Sequence, residues 1–249
     1  METPIASLFA ATLLALVYAL RGGAGEGRTA EHFWSRRRWV SAAAGVSVAY
    51  VFVDVLPELA GQSRAIVEAA GEAELLFAEQ RIYVLALVSF VVLYGLEHMV
   101  LSAREARRSL VEKGGTDRVY WLHLIGFSAY SALIGYLLVE RADRGLAALV
   151  VYTLAMAIHF LIVNHSLGEE HGEAYHRSGR WWLAASVVAG WAAGALTPLS
   201  EITFARLFAV LAGGVVITSL RAELPDEREG RFLPFCTGAI VFALLLLAA

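Results

Sequence analysis

An all-helical, polytopic membrane protein is the fold class this sequence predicts, and three observations carry the prediction. Apolar residues make up 58% of the 249-residue chain and charged residues only 17%, against about 45–50% and about 25% in a soluble domain, and the mean hydropathy is +0.61. The apolar excess is gathered into eight blocks near the roughly 20 residues that a membrane-crossing helix needs. The basic residues fall on alternate connections between those blocks, as the positive-inside rule requires. No low-complexity stretch or change of composition divides residues 1–249, so a single membrane domain is expected.

The first span is expected over Pro4–Leu20. No basic residue precedes its apolar run, which suits a span better than a secretory signal. A Gly- and Arg-rich loop, Arg21–Arg38, leads to the second span, Trp39–Leu56, whose Ser41, Ala42, Ala43, Ala44, Gly45, Ser47 and Ala49 allow close helix approach in lipid. That span is expected to end at VFVDVLPELA, where Asp54 and Glu58 flank Pro57, and an acidic, Ala-rich surface connection follows to Gln80. The third span, Ile82–Met99, carries Glu97 and His98 near its end. The fourth, Val119–Val139, holds His123, Ser128, Tyr130 and Ser131, and the short polar turn Glu140–Arg144 leads to the fifth, Gly145–His165. The sixth, Trp181–Leu199, has a small-residue face of Ala189, Gly190, Ala193 and Gly194. The seventh, Thr203–Leu220, is centred on Gly213–Gly214 and leads into RAELPDERE; the eighth is Phe232–Ala249.

Eight spans put both termini on one side. The loops after the first, third, fifth and seventh spans hold fifteen of the twenty basic residues. They are therefore expected in the cytoplasm, with both termini extracytoplasmic, in the inner or plasma membrane. The second and seventh spans lead to the matching triplets Leu56-Pro57-Glu58 and Leu224-Pro225-Asp226 and run in opposite directions, the relation of inverted-topology repeats. Two helices each ended by proline would give the same triplets. The small-residue faces would serve packing within one subunit or a homodimer. With a net charge of −3 and no basic stripe interleaved with aromatics, nucleic acid is not an expected partner. Cys236 is the only cysteine, which excludes an internal disulfide and a thiolate metal cluster.

The chemistry concentrates in Ala155–His176, AMAIHFLIVNHSLGEEHGEAYH, which contains His159, His165, His171 and His176, four of the seven histidines. If the helix continues past His165, then His165, Glu169, Glu173 and His176 lie at spacings that share one face, and imidazole with carboxylate suits Zn(II), Fe(II) or Mn(II). Gly168 and Gly172 weaken that helix, and a solvated helix end is the alternative reading. His159 lies deep in the fifth span, about 240° around the helix from His165, with His123, Ser128, Tyr130 and Ser131 as its natural polar partners. Asp54 and Glu58 on one side, and Glu97 and His98 on the other, mark the mouths of a path or are ordinary interfacial residues. No hydrolase elbow, phosphate loop or HExxH signature is present.

Several segments, in order, resemble the ZIP family of metal-ion transporters. AAAGVSVAYVFVDVLPELA is similar to the family's second span, with Asp54 where a histidine is common. VLYGLEHMV, with Glu97, is similar to the end of the third; TLAMAIH to the lead into the fifth; FAVLAGGVVITSLRAELPDE to the seventh. The resemblance implies an eight-helix 3+2+3 bundle with inverted repeats, no enzymatic activity, and transport of zinc, iron or manganese. Zn2+ or another divalent transition metal would be the ion, and metal and lipid bilayer the partners. The family's metal site lies on the fourth and fifth spans. Here the fourth-span motif falls on Gly126–Tyr130, GFSAY, and on the fifth His159 matches the first histidine while Phe160, Val163 and Asn164 replace Glu, His and Glu. The expectation is a divergent metal transporter with His159 as surviving ligand and His165, Glu169, His171, Glu173 and His176 at the cytoplasmic exit. A transport-inactive binding or regulatory protein of the same fold is the alternative, and an intramembrane metal-dependent hydrolase a third.

Overall fold

The computed structural model describes residues 2–20, 30–69, 78–109, 116–197, 199–223 and 232–248, and among these the chain is helical apart from short turns, with no strand. The helices are α1 (Glu2–Ala19), α2 (Ala30–Tyr50), α3 (Leu56–Ala69), α4 (Ala78–Ser109), α5 (Thr116–Asp143), α6 (Leu146–His171), α7 (Arg180–Leu196), α8 (Glu201–Glu223) and α9 (Phe232–Ala248). Among the described residues, five segments are long and apolar enough to cross a membrane: Ser41–Arg64, Gln80–Val100, Arg118–Asp143, Leu146–His171 and Glu201–Ser219. α1 and α9 are apolar but shorter. Large apolar side chains cover the outside, among them Tyr83, Val84, Leu87, Val88, Val91 and Val92 along α4, as lipid contact requires.

Proline 57 does not end the second span. α2 continues through a π turn at Val51–Val55 directly into α3, where the N–H of Leu56 reaches the carbonyl of Val51. In a regular α-helix the ring of Pro57 would strike the carbonyl four residues back. A turn widened by one residue opens that space, and such π turns concentrate at functional positions. Asp54 lies on this turn. The matching triplet at Leu224–Asp226 lies outside the described residues.

Small residues build the closest helix pairs. α5 packs on α7, α2 on α9 and α4 on α8. Gly190 and Gly194 lie against the carbonyls of Ala132 and Tyr136, Gly45 against that of Phe235, and Gly213 against that of Ala86, with no room for a Cβ. These faces are thus spent within one chain. α1 packs mainly on α7, α6 and α5. Its end is capped from a distance: Asn164 Nδ2 donates to the carbonyls of Val17 (3.4 Å) and Leu20 (3.2 Å), and Arg180 Nη1 donates to that of Ala19 (3.2 Å).

Candidate metal centre

The site is built where α4, α5 and α6 meet at one end of the bundle. The turn between α5 and α6 is tight, with Gly145 at φ 119°, so the two helices run antiparallel. α6 continues to His171 and stops at Gly172, whose φ of 56° and ψ of −130° end the helix. The chain reverses and enters α7 through a π turn at Tyr175–Gly179. Tyr120 on α5 tethers this corner by donating to the carbonyl of Ala174 (3.2 Å). Tyr175 is fully buried and donates to Asn164 Oδ1 (2.6 Å). Burial pushes its phenol well above the usual range; Tyr120 adds to the shift and Arg180 opposes it.

These tethers set the ring of His171 against His123 and Tyr120, at centroid distances of 5.1 and 5.0 Å. His123 is 1% exposed. Its Nδ1 lies 2.8 Å from His171 Nε2 and 3.6 Å from Glu170 Oε2. Its other nitrogen, Nε2, lies 3.7 Å from Glu97 Oε1, too far for a hydrogen bond, and has no hydrogen-bond partner among the described residues. Both carboxylates are buried, at 7% and 6% side-chain exposure for Glu97 and Glu170. One ligand atom each from His123, Glu170 and His171 fall within 4.8 Å of one another, and they are the one such group among the described residues.

Two imidazoles and a carboxylate are the donor set of zinc sites with an open position and of non-haem iron. At 2.8 Å the two ring nitrogens share a hydrogen bond. Were His123 and His171 to hold one divalent ion together, the proton they share would have to leave and the two rings would have to move slightly apart. Glu97 Oε1 lies on the Nε2 side of His123, the side from which a carboxylate would orient a metal-bound histidine. The residues present fit a divalent transition metal.

The other sequence candidates lie apart from this group. His159 is 2% exposed, beside the rings of Tyr130 and Phe160. Its Nδ1 lies 3.4 Å from Thr218 Oγ1, a hydroxyl that also reaches the carbonyls of Gly214 (2.8 Å) and Val215 (3.1 Å). His159 Nε2 has no hydrogen-bond partner among the described residues. Among the described residues it makes no ion pair. His165 pairs with Glu169 at 3.4 Å on a partly exposed face, Glu173 is exposed, and His176 folds over Gly168. The break at Gly172 prevents His165, Glu169, Glu173 and His176 from sharing one continuous helical face. His98 is exposed, 3.4 Å from Ser102. His171 and Glu97 are therefore the expected residues that the fold brings together, and His123 and Glu170 complete the group. His123 had a readable signal: counted back from Arg144, it is level with His165, within about two turns of His171.

At the opposite end, Glu58 accepts from Arg144 Nη1 (2.6 Å) and from Gln62 (2.7 Å). Arg144 also approaches Glu140 at 3.8 Å and lies over Phe204, 4.5 Å from its centroid. Asp54 is within electrostatic reach of Arg141, Glu58 and Arg144. Compared with known proteins, the chain matches no family model, no curated protein and no solved structure.

Proposed function

We propose that this chain is a divalent transition-metal carrier of the cytoplasmic membrane, a divergent ZIP-like protein whose ion site has moved from mid-membrane to the end of the bundle where α4, α5 and α6 meet. The observation that supports it is the buried group of Glu97, His123, Glu170 and His171, drawn from three helices that also serve as membrane spans. Ionisable groups buried between spanning helices mark ion paths and relays by default. A three-ligand set with an open position suits an ion that must arrive and leave. In this reading the chain crosses eight times in a 3+2+3 plan with inverted repeats, α1, α7 and α9 being the three further spans. Both termini are outside and the metal centre faces the cytoplasm, beside the Arg-rich loops.

The test begins with binding. Purified protein is titrated with Co(II) and followed by its ligand-field absorption, which reports nitrogen and oxygen ligands without any assay of transport. One ion per chain is expected, lost in His123→Ala and His171→Ala and kept in His159→Ala. No binding by the wild-type chain would end this reading. A second reading, a metal-binding regulatory protein that does not transport, is favoured by His159, which has apolar or amide neighbours where the family carries acids. Zinc uptake into dye-loaded proteoliposomes separates the two: uptake abolished by His171→Ala supports the carrier, and binding without uptake supports the regulator.

A further inference from the structure

The end of the bundle opposite the metal centre contains a buried arginine that the proposed ion site does not use. Arg141, in the last turn of α5, is 6% exposed. Its guanidinium lies over the rings of Tyr152 and Phe208, at 5.5 and 5.1 Å from their centroids. Asp54 on the π turn and Glu58 just beyond it are the carboxylates within its electrostatic reach. A buried arginine ordinarily spends its planar fork on a carboxylate, two parallel bonds at a time. Arg141 does not: Nε and Nη2, the side-on edge of the guanidinium, are both buried without a hydrogen-bond partner among the described residues. Charge and ring faces hold this cation, not directed bonds. Arg144, by contrast, is bonded to Glu58 and closes the rim.

The charges around it decide what the acids can accept. Asp54, Glu58 and Glu140 are three negative groups, and Arg141 and Arg144 two positive ones, so the cluster as it stands carries −1. Removing the charge of Arg141 alone leaves −2, the match for a divalent ion. The guanidinium therefore stands where the acids would otherwise receive such an ion.

We propose that Arg141 is a tethered counter-cation that closes this end of the bundle to divalent metal, so that metal exchanges with the Glu97, His123, Glu170 and His171 centre from the opposite end alone. The second half of this statement rests on the metal-centre reading above; the first half does not. Arg141 is here a specificity-determining residue: its charge, not its bulk, excludes the ion.

Bound Co(II) is counted per detergent-purified chain in two backgrounds, wild type and His123→Ala/His171→Ala, each with Arg141→Gln or Arg141→Lys. The expected result is one additional ion with Arg141→Gln in either background and none with Arg141→Lys, which keeps the charge. No additional ion with Arg141→Gln, or an equal gain with Arg141→Lys, overturns the proposal. Should the wild type bind nothing while Arg141→Gln gains one ion, the metal-centre reading fails and the closing role of Arg141 stands. If Arg141→Gln does not fold, as judged by size exclusion, the wild type decides. Co(II) is applied to either face of sealed vesicles of known orientation, and the centre should load at least about tenfold faster from its own end, within the range that charge alone imposes on cation access. Equal loading from both faces overturns the proposal.

Discussion

His123 gives its two ring nitrogens different partners. Nδ1 faces His171 and Glu170, and Nε2 faces Glu97. Because Glu97 touches the far side of the ring, Glu97→Gln should leave the Co(II) stoichiometry at one and lower the affinity about 10–100-fold, as loss of a group that orients a metal-bound imidazole does; a titration of the variant checks both numbers. Binding should also weaken as pH falls, because protons compete with the ion for the imidazole nitrogens. Tyr175 offers a test of opposite sign. Its phenol is raised in the fold by burial, so the unfolded chain ionises first. The stability it contributes is whole below about pH 10 and is lost as pH rises from there toward the folded value. Tyr175→Phe removes the bond to Asn164, lowering stability by about 1 kcal/mol at neutral pH and flattening the alkaline loss, which thermal unfolding from pH 8 to 11 would show. Two residues of the candidate site stood out in the sequence: His171 for its place in the histidine-rich stretch after the fifth span, and Glu97 as one mouth of a path. Glu170 did not, because side-chain direction depends on where α6 stops, and Gly172 sets that stop through a backbone conformation that no side-chain pattern encodes.

At the scale of elements, the eight apolar blocks read from the sequence all fall in helices, and five of these, among the described residues, are long and apolar enough to cross a membrane, where the backbone has no partner but itself. Their ends were less legible. Pro57 reads as a stop, yet the π turn at Val51–Val55 carries the helix through it to Ala69. Gly168 and Gly172 read as equal weaknesses, yet the first lies within α6 and the second ends it at φ 56°, ψ −130°. That combination lies outside the basins of residues with a Cβ and costs of order 1–3 kcal/mol for any of them. Gly172→Ala should therefore swing the corner that holds His171 against His123. Co(II) affinity falls while far-UV helicity stays constant; an unchanged affinity would show that the corner does not position the ligand.

Over the whole molecule, the two ends differ in kind. One gathers imidazoles and buried carboxylates from α4, α5 and α6; the other gathers arginines and acids around the π turn. The proposed orientation puts the first in the cytoplasm, and single cysteines read it directly. With Cys236 replaced by alanine, a cysteine at exposed Arg177 should react with an impermeant maleimide only after the cells are opened, and one at exposed Thr197 in intact cells. Labelling in the reverse order would invert the topology. The first helix adds a constraint on how this molecule comes into being. The carbonyls at its end are met by Asn164 and Arg180, and its main neighbours are α5, α6 and α7. Some 160 residues separate Leu20 from Arg180, roughly ten to thirty seconds of synthesis at about 5–20 residues per second. Until Arg180 is made, the first helix lacks α7 and the cap that Arg180 gives its end. Insertion of this chain thus has a late closing step, and a ribosome stalled before residue 164 should leave the first helix extractable from the bundle.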